Sequence, residues 1–337
     1  MNATARRSVE FAGIVATALL AVLMIGVISL EALRDHVGAA AFLYEQFIVV
    51  GEWMDYYLGT GVFSHGFMWR TIGTVILIGI IAPVVGTYLV HREMALIGET
   101  LAHTAFAGVA VGLFFSATTG WDGNLLTAAL VVAILGALGV QWLAERTDTY
   151  GDVPIAIMLT GSFAVGTIII EYGQGLSGVA IEDFLFGSAA VVPSSGAQLV
   201  VVQTFAVLGV IAITYKQLLF ITFDEQAARV ARLNVTWYNA LLIVMTAVVV
   251  VGAMQILGVI LVAAMLVVPV AAASQLAESF RETLVLSVLF GQASVLAGYA
   301  ISIHQGIAAS GPIVVVAIAI YLLTIAASSR SSALSMH

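Results

Sequence analysis

Residues 97–108 read IGETLAHTAFAG. A carboxylate, Glu99, and an imidazole, His103, stand four residues apart in a stretch otherwise made of apolar and small residues. On a helix this spacing puts both side chains on one face, with their β-carbons ~5–6 Å apart and within reach of a common ion. Insertion scales assign roughly 2.5–3.5 kcal/mol to a strongly polar ionised group at the centre of a membrane span, so such residues line a pathway or pair with one another. The spacing alone serves both readings: a Glu–His pair that satisfies itself and locks helix register, or a site for a transported ion. Imidazole plus carboxylate suits zinc, manganese or iron(II). The chain has no cysteine, which removes disulfides, iron–sulfur clusters and a thiolate route for copper(I). One Glu and one His are two ligands, whereas zinc commonly takes four. Two subunits about a two-fold axis would supply four, so the metal reading requires a homodimer. A site of passage must also hold its ion loosely enough to release it.

The elements that must position this pair are membrane spans. Of 337 residues, 61% are apolar and 9% charged, against about 25% charged in a water-soluble domain. Apolar runs near the ~20 residues needed to cross a bilayer recur throughout, so the fold class is an all-α polytopic membrane protein without a soluble catalytic module. Ten spans are predicted, at 9–30, 67–90, 96–116, 124–144, 153–171, 196–214, 237–255, 256–276, 283–303 and 312–329. The first is too long, and too poor in a small-residue cleavage site, for a removed signal peptide. With both termini cytoplasmic in the cell membrane, nine of the eleven basic residues face inward: Arg6, Arg7, Arg92, Arg146, Lys216, Arg229, Arg232, Arg281 and Arg330. Only Arg34 and Arg70 fall outside. The stretch 39–58 is apolar, but Glu45, Glu52 and Asp55 mark one helical face, so an amphipathic helix on the outer surface is expected. The run 237–276 is divided at GAMQILG, because a single crossing would leave Arg281 and Arg330 on the wrong side.

Other residues could contribute. His65 and His304 lie near the outer face and could meet an arriving metal, although a lone histidine there is commonly just solvated. His91, beside Arg92, is expected to anchor to headgroups. Glu182 and Asp183 fall in a glycine-rich stretch between spans five and six, readable as an outer gate or an interfacial loop. On the inner side, ITFDEQAARVARLNVTWYN (221–239) places Asp224 and Glu225 at the positive end of a short helix, with Arg229 and Arg232 towards the negative end. So organised a helix suits docking onto a cytosolic partner. The sole lysine, Lys216, has no glycine framework before it, so no phosphate-binding loop exists, and HExxH is absent too. The chain reads as a transport subunit, not an enzyme.

In order, HREMALIGETLAH, AGVAVG, LFGSAAVV, FDEQAARVARLNV, LGVILVAAMLVVPVAAA and GPIVVV resemble the permease subunits of zinc/manganese/iron-type metal ABC importers (metal ABC transporter permease family 3), over about 67–325. The resemblance implies a type II ABC importer permease fold similar to the cobalamin and siderophore permeases. It implies a homodimer in the lipid bilayer, separate cytosolic ABC ATPase subunits, an extracytoplasmic metal-binding protein, and no nucleic-acid partner. The cargo would be a divalent cation, zinc or manganese, with no permanently bound cofactor. By position, the motif acid and histidine fall on Glu99 and His103. The coupling element falls on the helix carrying Asp224, Glu225, Ala228, Arg229 and Arg232. Glu99 replaces the usual aspartate, and Arg232 stands where a glycine is usual, so the coupling helix is expected to run on to Asn234. Residues 1–66 lie outside the core likeness, as an added transmembrane helix plus the outer amphipathic helix, with 67–337 as the permease domain. The alternatives are a cobalamin- or siderophore-type permease, which would need no ionisable pair, and a secondary metal transporter without an ATPase.

Overall fold

The computed structural model describes residues 3–121, 123–146, 153–172, 184, 185, 187 and 192–334. Its elements are α1 (Ala3–Leu33), α2 (Gly38–Leu58), α3 (Gly66–His91), α4 (Ile97–Thr119), α5 (Leu125–Arg146), α6 (Val153–Tyr172), α7 (Ser194–Phe223), the short α8 (Glu225–Val230), α9 (Val235–Ser274), α10 (Phe280–Gln305) and α11 (Ser310–Leu334). Among the described residues there is no strand, and ten helical segments are long and apolar enough to cross a membrane. The chain is a multi-pass membrane protein.

The long α9 supplies two of those segments, Val235–Met254 and Leu257–Ser274. Near its start, Asn239 accepts a hydrogen bond from Arg92 Nη2 at 2.6 Å. Further along, the Leu266 carbonyl sits so close to Gly86 that a β-carbon there would collide with it. Along α3, Gly86 and Arg92 lie only about 9 Å apart, whereas a straight helix would separate Asn239 from Leu266 by about 40 Å. The chain therefore reverses between them. Gly258, at φ 69° and ψ 163°, takes the backbone conformation that a side chain would resist.

The most enclosed span is α3. In a bilayer, lipid tails are as apolar as leucine, so helices associate through close packing and hydrogen bonds rather than exclusion from water. Accordingly α3 and α10 meet through small and polar residues: Gly79 against Gln292 and Val295, Gly291 against Pro83, and Thr87 Oγ1 3.1 Å from Ser287 Oγ. Gln292 Nε2 donates to the Ile76 carbonyl at 2.7 Å. Pro83 lacks an amide, and the Thr87 hydroxyl bonds its carbonyl at 2.8 Å. At its tail α7 runs nine residues beyond the predicted limit of 214. Lys216 therefore lies on the helix, exposed, where its long stem can reach the interface.

The N-terminal helix α1 is pinned to α3 by Glu31 and Arg70, 2.9 Å apart with side chains 9% and 17% exposed. Beside the pair, Met24 and Val27 pack with Tyr44, Trp69 and Ile76. α2 buries Ala40, Tyr44 and Gly51 and exposes Phe42, Val49, Val50, Trp53, Tyr56 and Tyr57. Glu45 and Glu52 are exposed, but Asp55 turns into the following loop. Its carboxylate accepts from the amides of Val62 (3.0 Å), Phe63 (2.9 Å) and Ser64 (2.7 Å) and from the Thr60 hydroxyl (2.8 Å). Partial desolvation pushes this carboxyl up, but the bonds from Phe63, Thr60 and Ser64 outweigh it and hold the group well below the ordinary carboxylate range.

A depressed carboxyl stabilises the folded state at every pH above its ordinary value of about 3.9, and the effect is lost only as pH falls through the lower folded value. Asp55→Ala is thus expected to speed amide exchange at Val62, Phe63 and Ser64, read by hydrogen–deuterium exchange. In the unsubstituted protein, protection relative to intrinsic exchange should persist from pH 7 to 5.

Candidate metal pathway and coupling end

Glu99 lies in the first turn of α4 and His103 one turn later. α4 follows a tight turn in which Glu93 takes φ 58°, the Met94 amide bonds the Leu89 carbonyl (2.9 Å) and the Ile97 amide bonds the Met94 carbonyl (3.1 Å). The pair therefore sits near the membrane end that carries α8, not at mid-span. A carboxylate there complements the positive end of α4, which lowers its cost below the mid-span figure.

Small residues let neighbours close around α4. Gly98 lies against Leu266 and Ala263, Gly108 against Ala129 and Val132, and Gly166 of α6 against Phe106 and Ala107. Thr100 Oγ1 reaches the Ile155 carbonyl of α6 at 3.3 Å. Gly98, Thr100, Leu101, Ala102 and Thr104 are buried, whereas Glu99 and His103 are only partly so. The two ionisable residues thus occupy the least enclosed stripe of this part of the helix. The His103 ring meets the Phe163 edge at 4.9 Å, and Phe106 stacks on Phe163 at 5.7 Å. His103 Nδ1 is buried without a hydrogen-bond partner, a position that an arriving cation would satisfy. Among the described residues no three His, Cys, Asp or Glu side chains gather into one cluster.

The remaining sequence candidates lie apart from this pair. His65 caps α3, exposed, with Nδ1 3.2 Å from Ser64 Oγ. His304 is exposed in the last turn of α10. Glu182 and Asp183 lie outside the described residues. His91 is not a free headgroup anchor: Nδ1 lies 2.8 Å from the Thr87 carbonyl, and its ring sits between Phe280 (5.1 Å) and Phe223 (6.2 Å).

At the α8 end, Asp224 caps the helix by accepting from the Ala227 amide (2.8 Å), and Arg229 Nη2 donates to Glu225 Oε1 (2.7 Å). Ala228 is fully buried against Ile221 and Val235. The helix stops at Val230 rather than running on to Asn234. Arg232 takes φ 61°, its amide bonds the Arg229 carbonyl (3.0 Å), and the Leu233 amide bonds the Ala228 carbonyl (3.1 Å). This is the Schellman ending, in which the left-handed residue is ordinarily glycine. Asn234 instead caps α9, accepting from the Trp237 amide at 3.1 Å.

Sequence reasoning gave Arg92 no role beyond an inward-facing charge. Its side chain is 7% exposed, bonded to Asn239 and 3.6 Å from Glu225 Oε2. Burial pulls the guanidinium below its ordinary value, and Glu225 opposes that shift. Only the basic pair HR before the motif signalled it.

Arg232→Gly should leave the melting temperature of the solubilised protein at or slightly above that of the parent. Arg232→Val, β-branched at positive φ, should lower it, because the left-handed region costs a side chain about 1–2 kcal/mol and branched residues most.

A family model for the ABC 3 transport family matches residues 64–328. The manganese transport system membrane protein MntC of Listeria innocua is 29% identical over 263 residues, covering 78% of this chain and 91% of that protein. The manganese import system permease protein ScaB of Streptococcus gordonii is 28% identical over 264 residues, 78% and 92% respectively. Among solved structures, PsaBC from Streptococcus pneumoniae in complex with Fab aligns at TM-score 0.70 with 30% identity, over 82% of this chain and 95% of that one. A structure described as a metal-chelate type ABC transporter in an inward-facing conformation aligns at TM-score 0.62 over 95% of this chain and 99% of its own, at 14% identity, a likeness of fold alone.

Proposed function

The chain belongs to the ABC 3 transport family, as the permease of an ABC metal importer and not its ATPase, and from that premise we propose that it passes manganese or zinc, manganese first, through a path formed by two copies of itself. The observation that carries this is the Glu99–His103 stripe: two donors, partly open where the neighbouring positions of α4 (Gly98, Thr100, Leu101, Ala102 and Thr104) are buried, one with an orphaned nitrogen. A carboxylate and an imidazole per chain make a mixed oxygen–nitrogen set from two chains, suited to either ion, and the named relatives favour manganese. Glu99 and His103 of both copies relay the ion. An extracytoplasmic metal-binding protein delivers it, and cytosolic ATPases act through α8, with Asp224, Glu225, Ala228, Arg229 and Arg232 as the docking element. The basic residues set the orientation, both termini in the cytoplasm. His65 and His304 stand at the outer side, where they could first meet the ion, and Glu182 and Asp183 remain candidates for a gate there.

Metal uptake measured ion by ion in cells lacking other importers tests the reading. Glu99→Gln and His103→Ala should each reduce uptake at least about tenfold, the low end of what even an outer-shell change costs a metal site, with the complex still assembled. Glu99→Asp should retain uptake. Unchanged uptake in both disruptive variants would remove the site.

A further inference from the structure

One buried cation at the α8 end has no part in the reading above. Arg92 lies between the last residue of α3 and the first of α4, and its guanidinium reaches two other elements. Nη2 donates to Asn239 Oδ1 in the first turns of α9 (2.6 Å) and approaches Glu225 Oε2 on α8 (3.6 Å). Nη1 is buried and has no hydrogen-bond partner. The side chain lines a polar cavity of about 630 Å³, together with Gln141, Thr222, Arg229 and Asn239. Glu225 is shared: its Oε1 is held by Arg229 at 2.7 Å, so the contact with Arg92 is long and only half made.

We propose that Arg92 is a positioning residue that carries movement of α8 into the α3–α4 turn and so to the metal pair. Three features make it suited to that task. A guanidinium binds a carboxylate best through two parallel hydrogen bonds, and Arg92 has an unused N–H available for a second. Arg229 is exposed and is the group within reach of a docking partner, so an acidic group on the ATPase that engages Arg229 frees Glu225 to turn fully onto Arg92. The turn that follows is short and strained, with Glu93 at φ 58°, and Glu99 lies seven residues after Arg92 in the first turn of α4. A displacement at the guanidinium therefore has little slack to be lost in before it reaches the carboxylate ligand. Asn239 ties the same guanidinium to α9, whose second leg packs on Gly98, so the start of α4 is gripped from both sides.

This inference rests on the docking role proposed for α8, and its test separates the two. The full permease–ATPase complex, reconstituted in proteoliposomes with its binding protein, is assayed for Mn²⁺ transported per ATP hydrolysed. Arg92→Ala should assemble and hydrolyse ATP while that ratio falls about fivefold or more, the lower bound of ordinary coupling between sites. Arg92→Lys, which keeps the charge and loses the fork, should recover part of it. A merely structural Arg92 would lower assembly, hydrolysis and transport together and leave the ratio unchanged, and that result overturns the proposal. Should Arg92→Ala fail to assemble, Glu225→Gln gives the decision: a fallen ratio supports the link and an unchanged one overturns it. A normal ratio in Glu99→Gln beside a fallen one in Arg92→Ala would discard the metal site and keep the link. Loss of ATPase association in an Arg229→Glu variant, with a normal ratio in Arg92→Ala, would keep the docking helix and discard the link.

Discussion

Zinc commonly takes four donors, and the Glu99–His103 stripe of α4, proposed as the metal pair, offers two. That shortfall governs how the rest of the molecule is read. Glu99 sits at the positive end of α4, which tolerates a carboxylate without a metal, while His103 keeps a buried nitrogen with nothing to bond. On the proposed reading a second copy of the stripe would complete the set, and an incomplete site within one chain suits an ion that has to leave again.

The surrounding helices hold this stripe in register by close approach, not by apolar bulk. Glycines bring Leu266 onto Gly86 and Gly98, Ala129 onto Gly108, and Gly166 onto Ala107. At Gly86, Gly108 and Gly166 the close approach is to a neighbour's backbone and at Gly98 to the Leu266 side chain, so an added β-carbon would force the helices apart or the side chain aside. The reversal at Gly258 returns the second leg of α9 to the end where Arg92, Glu225 and Asn239 meet. Glu99, the strained turn at Glu93 and α8 thus share one end of the bundle.

Much of this was legible in the residues, for stated physical reasons. Ten spans follow from apolar length, and the division of 237–276 follows from charge placement, since Arg281 and Arg330 had to return to the side of Arg229. The end of α7 was not legible: Lys216 looks like a boundary by charge, yet its stem lets it ride on a continuing helix. Arg232 misled in the same way. A charged side chain reads as helix-compatible, whereas the backbone there follows the glycine geometry of a Schellman ending, and Asn234 belongs to the next helix. His91 looked like a headgroup anchor and Arg92 like a plain inward-facing charge because no periodicity reveals that Phe223, Phe280, Asn239 and Glu225 converge on them from far along the chain.

The sharing of one cation between two copies of Glu99 and His103 is tested most directly by counting bound ions. Purified permease–ATPase complex titrated with Mn²⁺ and followed by electron paramagnetic resonance should bind one slowly relaxing, nitrogen- and oxygen-coordinated ion per pair of permease chains, and Glu99→Gln should abolish it. One such ion in every chain, or an unaltered signal in both Glu99→Gln and His103→Ala, would contradict a shared site.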